Sequence, residues 1–104
     1  MSATLVIAYP KGSNIKMDYY VNKHMPKAFG QLKAIGAWHV IKVTPGTDSP
    51  YEIMAFIEFS SMEQMAALAE PEWQKTKKAA AEDLPNYSQL PATSWVAEKV
   101  GSGQ

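Results

Sequence analysis

Four segments of the chain alternate apolar side chains with the period of a strand, and two regions between them repeat at helical spacing. Thr4 to Tyr9 (TLVIAY) is rich in β-branched residues and stops at Pro10-Lys11-Gly12, so it reads as a first strand closed by a turn. Ser13-Asn14 then offers helix N-caps for a segment to about Lys23, whose Met17, Tyr20, Val21 and His24 at i, i+3, i+4 and i+7 share one face. Met25 precedes Pro26, which disfavours helical backbone at Met25. The helix should therefore break there, a short second piece running from Pro26 to about Leu32 with Gly36 punctuating its end. Ala37 to Thr44 is the second strand. The turn cluster Pro45-Gly46-Thr47-Asp48-Ser49-Pro50 feeds a third, Tyr51 to Phe59, and predicts an antiparallel hairpin. Ser60 with Glu63 forms a capping-box pattern ahead of a helix carrying Met62, Met65, Ala66 and Leu68, and Glu70-Pro71-Glu72 restarts it. The piece from about Glu72 to Glu82 sets Trp73, Thr76, Lys77 and Ala80 on one side, and Pro85 closes it. Ala92 to Val100 is the last strand, followed by a loose tail from about Gly101.

The order β-α-β-β-α-β predicts an α+β, ferredoxin-like fold, two helices packed on one face of a four-stranded antiparallel sheet. The other face is informative. In the third strand Tyr51, Ile53, Ala55, Ile57 and Phe59 point one way, and Met54 and Phe56, flanked by Glu52 and Glu58, point the other. The first strand opposes Leu5, Ile7 and Tyr9 with Val6 and Ala8, and the second opposes Ile41 and Val43 with Trp38 and Val40. Both faces are apolar at their centre, whereas a sheet wet on one side alternates cleanly. Two helices cannot cover both. A second copy of the sheet can, which predicts a C2 homodimer with a barrel-like shared core, Met54, Phe56, Val40 and Trp38 facing the partner.

Composition narrows the chemistry. At 104 residues the chain suits one domain, spanning 1–104. A chain this short buries little more than ~60% of its unfolded surface, which again favours a partner subunit. Hydrophobic residues at 46% and charged ones at 19% make it a folding, globular sequence. There is no cysteine, hence no disulfide framework, thiolate nucleophile or Cys-based metal site, and a cytoplasmic location is expected. No apolar run approaches the ~20 residues of a membrane-spanning helix. All ten basic residues are Lys; without an Arg fork and with net charge +0, nucleic-acid readout is not expected.

Val6-Ile7-Ala8-Tyr9-Pro10 followed by Asp18-Tyr19-Tyr20-Val21-Asn22-Lys23-His24-Met25-Pro26 resembles the opening of the EthD family, with its strand, Tyr-rich helix and His-x-Pro. Pro50-Tyr51-Glu52-Ile53-Met54-Ala55, Phe59-Ser60-Ser61-Met62-Glu63 and Asp83-Leu84-Pro85-Asn86-Tyr87 look like the rest of the pattern, in order and over nearly the whole chain. The resemblance implies a dimeric α+β barrel with a pocket between sheet and helices. For function it implies either an accessory or ligand-carrier protein of the ethyl tert-butyl ether degradation type, or a cofactor-independent enzyme. Relatives of similar fold include monooxygenases, lactone isomerases and dehydratases or cyclases of aromatic polyketides. Fold does not choose among them.

His24 is the foremost candidate, because imidazole exchanges protons near neutral pH and this one sits beside the expected helix break. Tyr20, one turn earlier, can aim a hydroxyl the same way and donate to a developing oxyanion. The alternative is that His24 binds a freed backbone carbonyl and pins the turn. Asp83 could orient His24, bind substrate or cap its own loop. Tyr9, Trp38, Phe59, Trp73, Asn86 and Tyr87 are the candidate ligand contacts, and core packing explains most of the aromatic ones equally well. His39 reads as a structural histidine. It stands fifteen positions from His24 with no metal-binding string between them, so neither a metal nor a cofactor is expected.

Overall fold

The computed structural model describes residues 3–30, 35–101 and 103. Strands β1 (Ala3–Pro10), β2 (Ile35–Lys42), β3 (Tyr51–Phe59) and β4 (Thr93–Glu98) form one antiparallel sheet in the order β2-β3-β1-β4. The helices α1 (Met17–Tyr19), α2 (Met25–Phe29) and α3 (Pro71–Asp83) complete the expected α+β, ferredoxin-like arrangement. No described helix is long and apolar enough to cross a membrane.

Cross-strand register fixes the two faces, because residues paired directly across an antiparallel ladder project to the same side. Leu5, Ile7 and Tyr9 pair with Ile57, Ala55 and Ile53, and this row faces the helices. Val6 and Ala8 pair with Phe56 and Met54 on the opposite, open face, joined by Trp95 of β4. In β2 the expectation is inverted. Trp38 pairs with Ile57 and Val40 with Ala55, so both pack against the helix-side core, and His39 and Ile41 accompany Phe56 and Met54 on the open face. Alternation within one strand fixes which residues share a face but not which face meets the helices; the pairing register with β3 decides that, and a strand read in isolation does not reveal it. Gly36 sits inside a register irregularity between Ile35 and Ala37 and does not end a helix.

The first helical region also departs from expectation. Ser13 and Asn14 do not cap it. The Ser13 hydroxyl donates to Pro10 O at 2.6 Å, Asn14 takes a left-handed backbone (φ 52°), and the helix begins only after Lys16. Nor does the chain break at Met25, whose φ −63° and ψ −46° are helical. Instead Tyr20–His24 widens into a π-helical segment that leads straight into α2, the Met25 N–H donating to Tyr20 O. Pro26 lacks an N–H and crowds the carbonyl four residues before it, and a wider turn accommodates both. The helix ends at Phe29, and the expected stretch to Leu32 falls largely outside the described residues.

Between β3 and α3 the capping box is replaced by contacts to Gln64. The Ser60 hydroxyl donates to the Gln64 side-chain oxygen, and the Gln64 N–H donates to Ser61 Oγ at 3.2 Å. From there the chain takes a 3-10 conformation over Gln64–Ala69 rather than forming an α-helix. α3 then starts at Pro71, where a missing N–H costs nothing. Tyr20, Met25, Ile57 and Phe59 are the largest fully buried apolar side chains of the core between sheet and helices. Burial of each such side chain contributes roughly 1.5–3 kcal/mol.

Candidate functional site

Three pieces of backbone converge at one end of this core. β1 delivers Tyr9 on its helix face, the π-helical segment delivers Tyr20 and His24, and the chain leaving α3 delivers Asp83 and Tyr87. A 3-10 turn, Leu84–Asn86, sets the last two apart, and the Tyr87 N–H donates to Leu84 O at 3.1 Å. This turn is stitched to the start of the first helix: the Lys16 N–H donates to Tyr87 O at 2.9 Å and the Gln89 N–H to Ser13 O at 2.8 Å. Segments far apart in the chain are thereby fixed side by side.

Asp83 is the last residue of α3, where the negative end of the helix dipole disfavours a carboxylate. Three donors compensate. Tyr19 Oη donates to Oδ1 at 2.6 Å, Asn86 Nδ2 to Oδ1 at 2.8 Å, and His24 Nδ1 lies 3.0 Å from Oδ2. Desolvation pushes the Asp83 carboxyl up, but the hydrogen bonds from Asn86, Tyr19 and His24 and the nearby imidazole together hold it down at about 2. The same contact pushes the Tyr19 phenol up.

An ionised carboxylate only accepts, so His24 Nδ1 must carry a proton and Nε2 points away from Asp83. Nε2 is 3.3 Å from the Tyr87 hydroxyl, which in turn is 2.8 Å from the Tyr9 hydroxyl. With neutral imidazole, Tyr87 donates to Nε2 and Tyr9 to Tyr87. Burial raises the Tyr9 and Tyr87 phenols well above their ordinary value, so both remain protonated donors at neutral pH. The proton acceptor of the cluster is therefore the imidazole.

Tyr9, His24 and Tyr87 form one polar end of a cavity of about 380 Å³ between β1, the start of β4 and α3. Its walls are mainly apolar, with Ile7, Phe29, Trp73, Ala80 and Leu84 prominent, and Trp73 is steadied by a ring contact with Phe29 at 5.3 Å. Asp83 does not reach it; with His24 and Lys27 it lines a second cavity of about 250 Å³, so the imidazole forms part of the wall between the two.

The remaining sequence candidates lie elsewhere. Tyr20 is fully buried and not in the cavity wall; its ring stacks on that of His24 at 5.4 Å and 13°, and among the described residues its hydroxyl has no hydrogen-bond partner. Asn86 is exposed and serves Asp83. Phe59 is core on β3, and Trp38 packs on the core from β2, both away from the cavity. His39 stacks on Phe56 across the sheet from His24, at 5.2 Å, and no group of three or more metal-ligating side chains occurs among the described residues. The sequence pattern does not single out Tyr19, Gln74, Ala81 or Ser94. Only α3 carries a readable signal, since Trp73, Lys77, Ala80 and Leu84 follow helical spacing on the cavity side.

No protein-family model matches the chain, and no curated protein matches it in sequence. Solved structures do. An EthD-like protein from Ralstonia eutropha superposes with a TM-score of 0.78 at 21% identity, over 98% of this chain and 95% of that one. An ethyl tert-butyl ether degradation (EthD) family protein from Bacillus halodurans gives 0.69 at 19% identity, over 96% and 100%. SnoaB, a cofactor-independent oxygenase from Streptomyces nogalater, gives 0.62 at 12% identity, over 97% and 95%. Over almost its whole length, then, the chain has the fold of the EthD-like proteins that its sequence resembles.

Proposed function

We propose that this is a member of the EthD family that binds a small, largely apolar or aromatic organic molecule in the 380 Å³ cavity and moves a proton on it without a cofactor. The observation carrying this reading is the Asp83-His24-Tyr87-Tyr9 alignment, which ends at the cavity wall. His24 Nε2, directly or through Tyr87, takes a proton from an activated carbon or phenol of the ligand. Asp83 stabilises the imidazolium so formed and fixes its orientation. Tyr9 and Tyr87 donate to the oxyanion that develops, the part the sequence offered to Tyr20. Returned to another atom of the molecule, the proton gives an isomerisation; delivered instead to a hydroxyl on the adjacent carbon, which departs as water while the carbanion's electron pair forms the double bond, it gives a dehydration. Electron transfer from the same carbanion to dioxygen begins an oxygenation, and SnoaB, of the same fold, is a cofactor-independent oxygenase.

The protein would work as a homodimer joined through the open sheet face. That face exposes Ile41 at 43% and Trp95 at 38%, beside the half-buried Met54 and Phe56, an apolar patch of the kind that supports association with a second sheet.

The test is turnover of hydroxylated aromatics and lactones by wild type and His24→Ala, with native mass spectrometry for bound ligand. Proton-transfer catalysis predicts a loss of about 10²–10⁴-fold in a folded variant. Ligand binding by wild type with no turnover of any candidate would instead establish a carrier, in which His24 only pins Asp83 and Tyr87.

A further inference from the structure

The cavity wall also includes a cationic side chain. Lys77 lines the cavity from α3, one turn beyond Trp73 and one turn before Ala80 and Ala81. Lys77 precedes Asp83 by six positions, roughly 9 Å of helical rise, which sets its backbone apart from the turn that carries Tyr87. Gln74, its neighbour on the wall, donates one amide N–H to Leu68 O at 2.7 Å.

Among the described residues no acidic side chain forms an ion pair with Lys77. Positions three and four residues away on the helix are Trp73, Gln74, Ala80 and Ala81, none acidic, whereas Lys78 has Glu82 at i+4. The His24-Asp83 contact is the sole salt bridge among the described residues. Of the three α3 lysines, Lys77 alone lines the cavity.

Resting on the reading of the cavity as a ligand site, we propose that Lys77 selects organic acids: molecules with an aromatic-sized apolar body, a carboxylate at the Lys77 end and the exchangeable proton at the His24 end. A cation on a flexible stem at the rim of an apolar cavity gains most from an anion that is itself partly desolvated by the wall. With no Arg in the chain, recognition is by a point charge, which tolerates variation in the shape of the anion.

Two fluorescent probes of nearly the same body test this: 8-anilinonaphthalene-1-sulfonate, which carries an anion, and N-phenyl-1-naphthylamine, which does not. They are titrated into wild type, Lys77→Met, Lys75→Met and the cavity-filling Ala81→Trp. The expected result is that Lys77→Met weakens the sulfonate roughly three- to tenfold and leaves the neutral probe unchanged, the range for one partly desolvated charge pair. Lys75→Met should change neither, and Ala81→Trp should weaken both. Equal sulfonate affinity in wild type and Lys77→Met, with the neutral probe still bound and still blocked by Ala81→Trp, overturns the selectivity and leaves the cavity reading standing. Failure of both probes to bind, or binding that ignores Ala81→Trp, overturns both.

Discussion

The Tyr87 hydroxyl lies 3.3 Å from His24 Nε2, on the side of the imidazole opposite its 3.0 Å contact with Asp83. The imidazole is thus held between an acceptor and a donor, with the rings of Tyr87 and Tyr20 packed about it at 4.3 and 5.4 Å. It cannot rotate without breaking both contacts, and that rigidity separates a poised base from a loose surface histidine.

Removing the carboxylate tests this directly. Asp83→Asn leaves an amide that can donate to Nδ1, which favours the tautomer with its proton on Nε2 and spoils it as a base. Turnover should fall by about 10²-fold or more with little change in KM, as measured by steady-state kinetics. An unchanged kcat would falsify the orienting role of Asp83.

The two buried tyrosines beside His24 should part company on substitution. Tyr87→Phe removes the hydroxyl at Nε2 and should lower turnover. Tyr20→Phe removes a buried hydroxyl that has no hydrogen-bond partner among the described residues, and should raise stability by about 1 kcal/mol while leaving turnover alone. Chemical denaturation and rate measurements on the pair decide it, and a large rate loss in Tyr20→Phe alone would return the oxyanion role to Tyr20.

The acid limb of the stability curve has an expected shape. The Asp83 carboxyl titrates at about 2 when folded against an ordinary 3.8, so it contributes stability above its unfolded value, and that contribution is lost as pH falls from about 4 towards 2. In Tyr19→Phe, one of its three donors is gone, its folded value rises, and the gain shrinks. Denaturation midpoints across this window should converge for wild type and Tyr19→Phe at the acid end and separate above about pH 4.

The open sheet face implies an assembly state. Trp95→Glu or Phe56→Glu places a carboxylate where the second subunit would sit, and sedimentation at micromolar concentration should show a dimer for wild type and a monomer for either variant. A wild-type monomer contradicts the shared core.

The strands, their order and the fold were legible along the chain, because period-two and helical repeats are local properties of a sequence. Of the side chains the sequence offers as candidates, the structure brings Tyr9, His24, Trp73 and Tyr87 to the lining of one cavity and places Asp83 against His24 behind it. The rest depends on distance in space and became visible only in three dimensions. The face of Trp38 was set by its pairing register with β3. The helix survived Pro26 by widening into a π-turn, a solution that dipeptide preference does not contain. Tyr19 met Asp83 across 64 positions, and Tyr87 rather than Tyr20 reached the imidazole, because packing sets which of two neighbouring rings offers its oxygen and which its face.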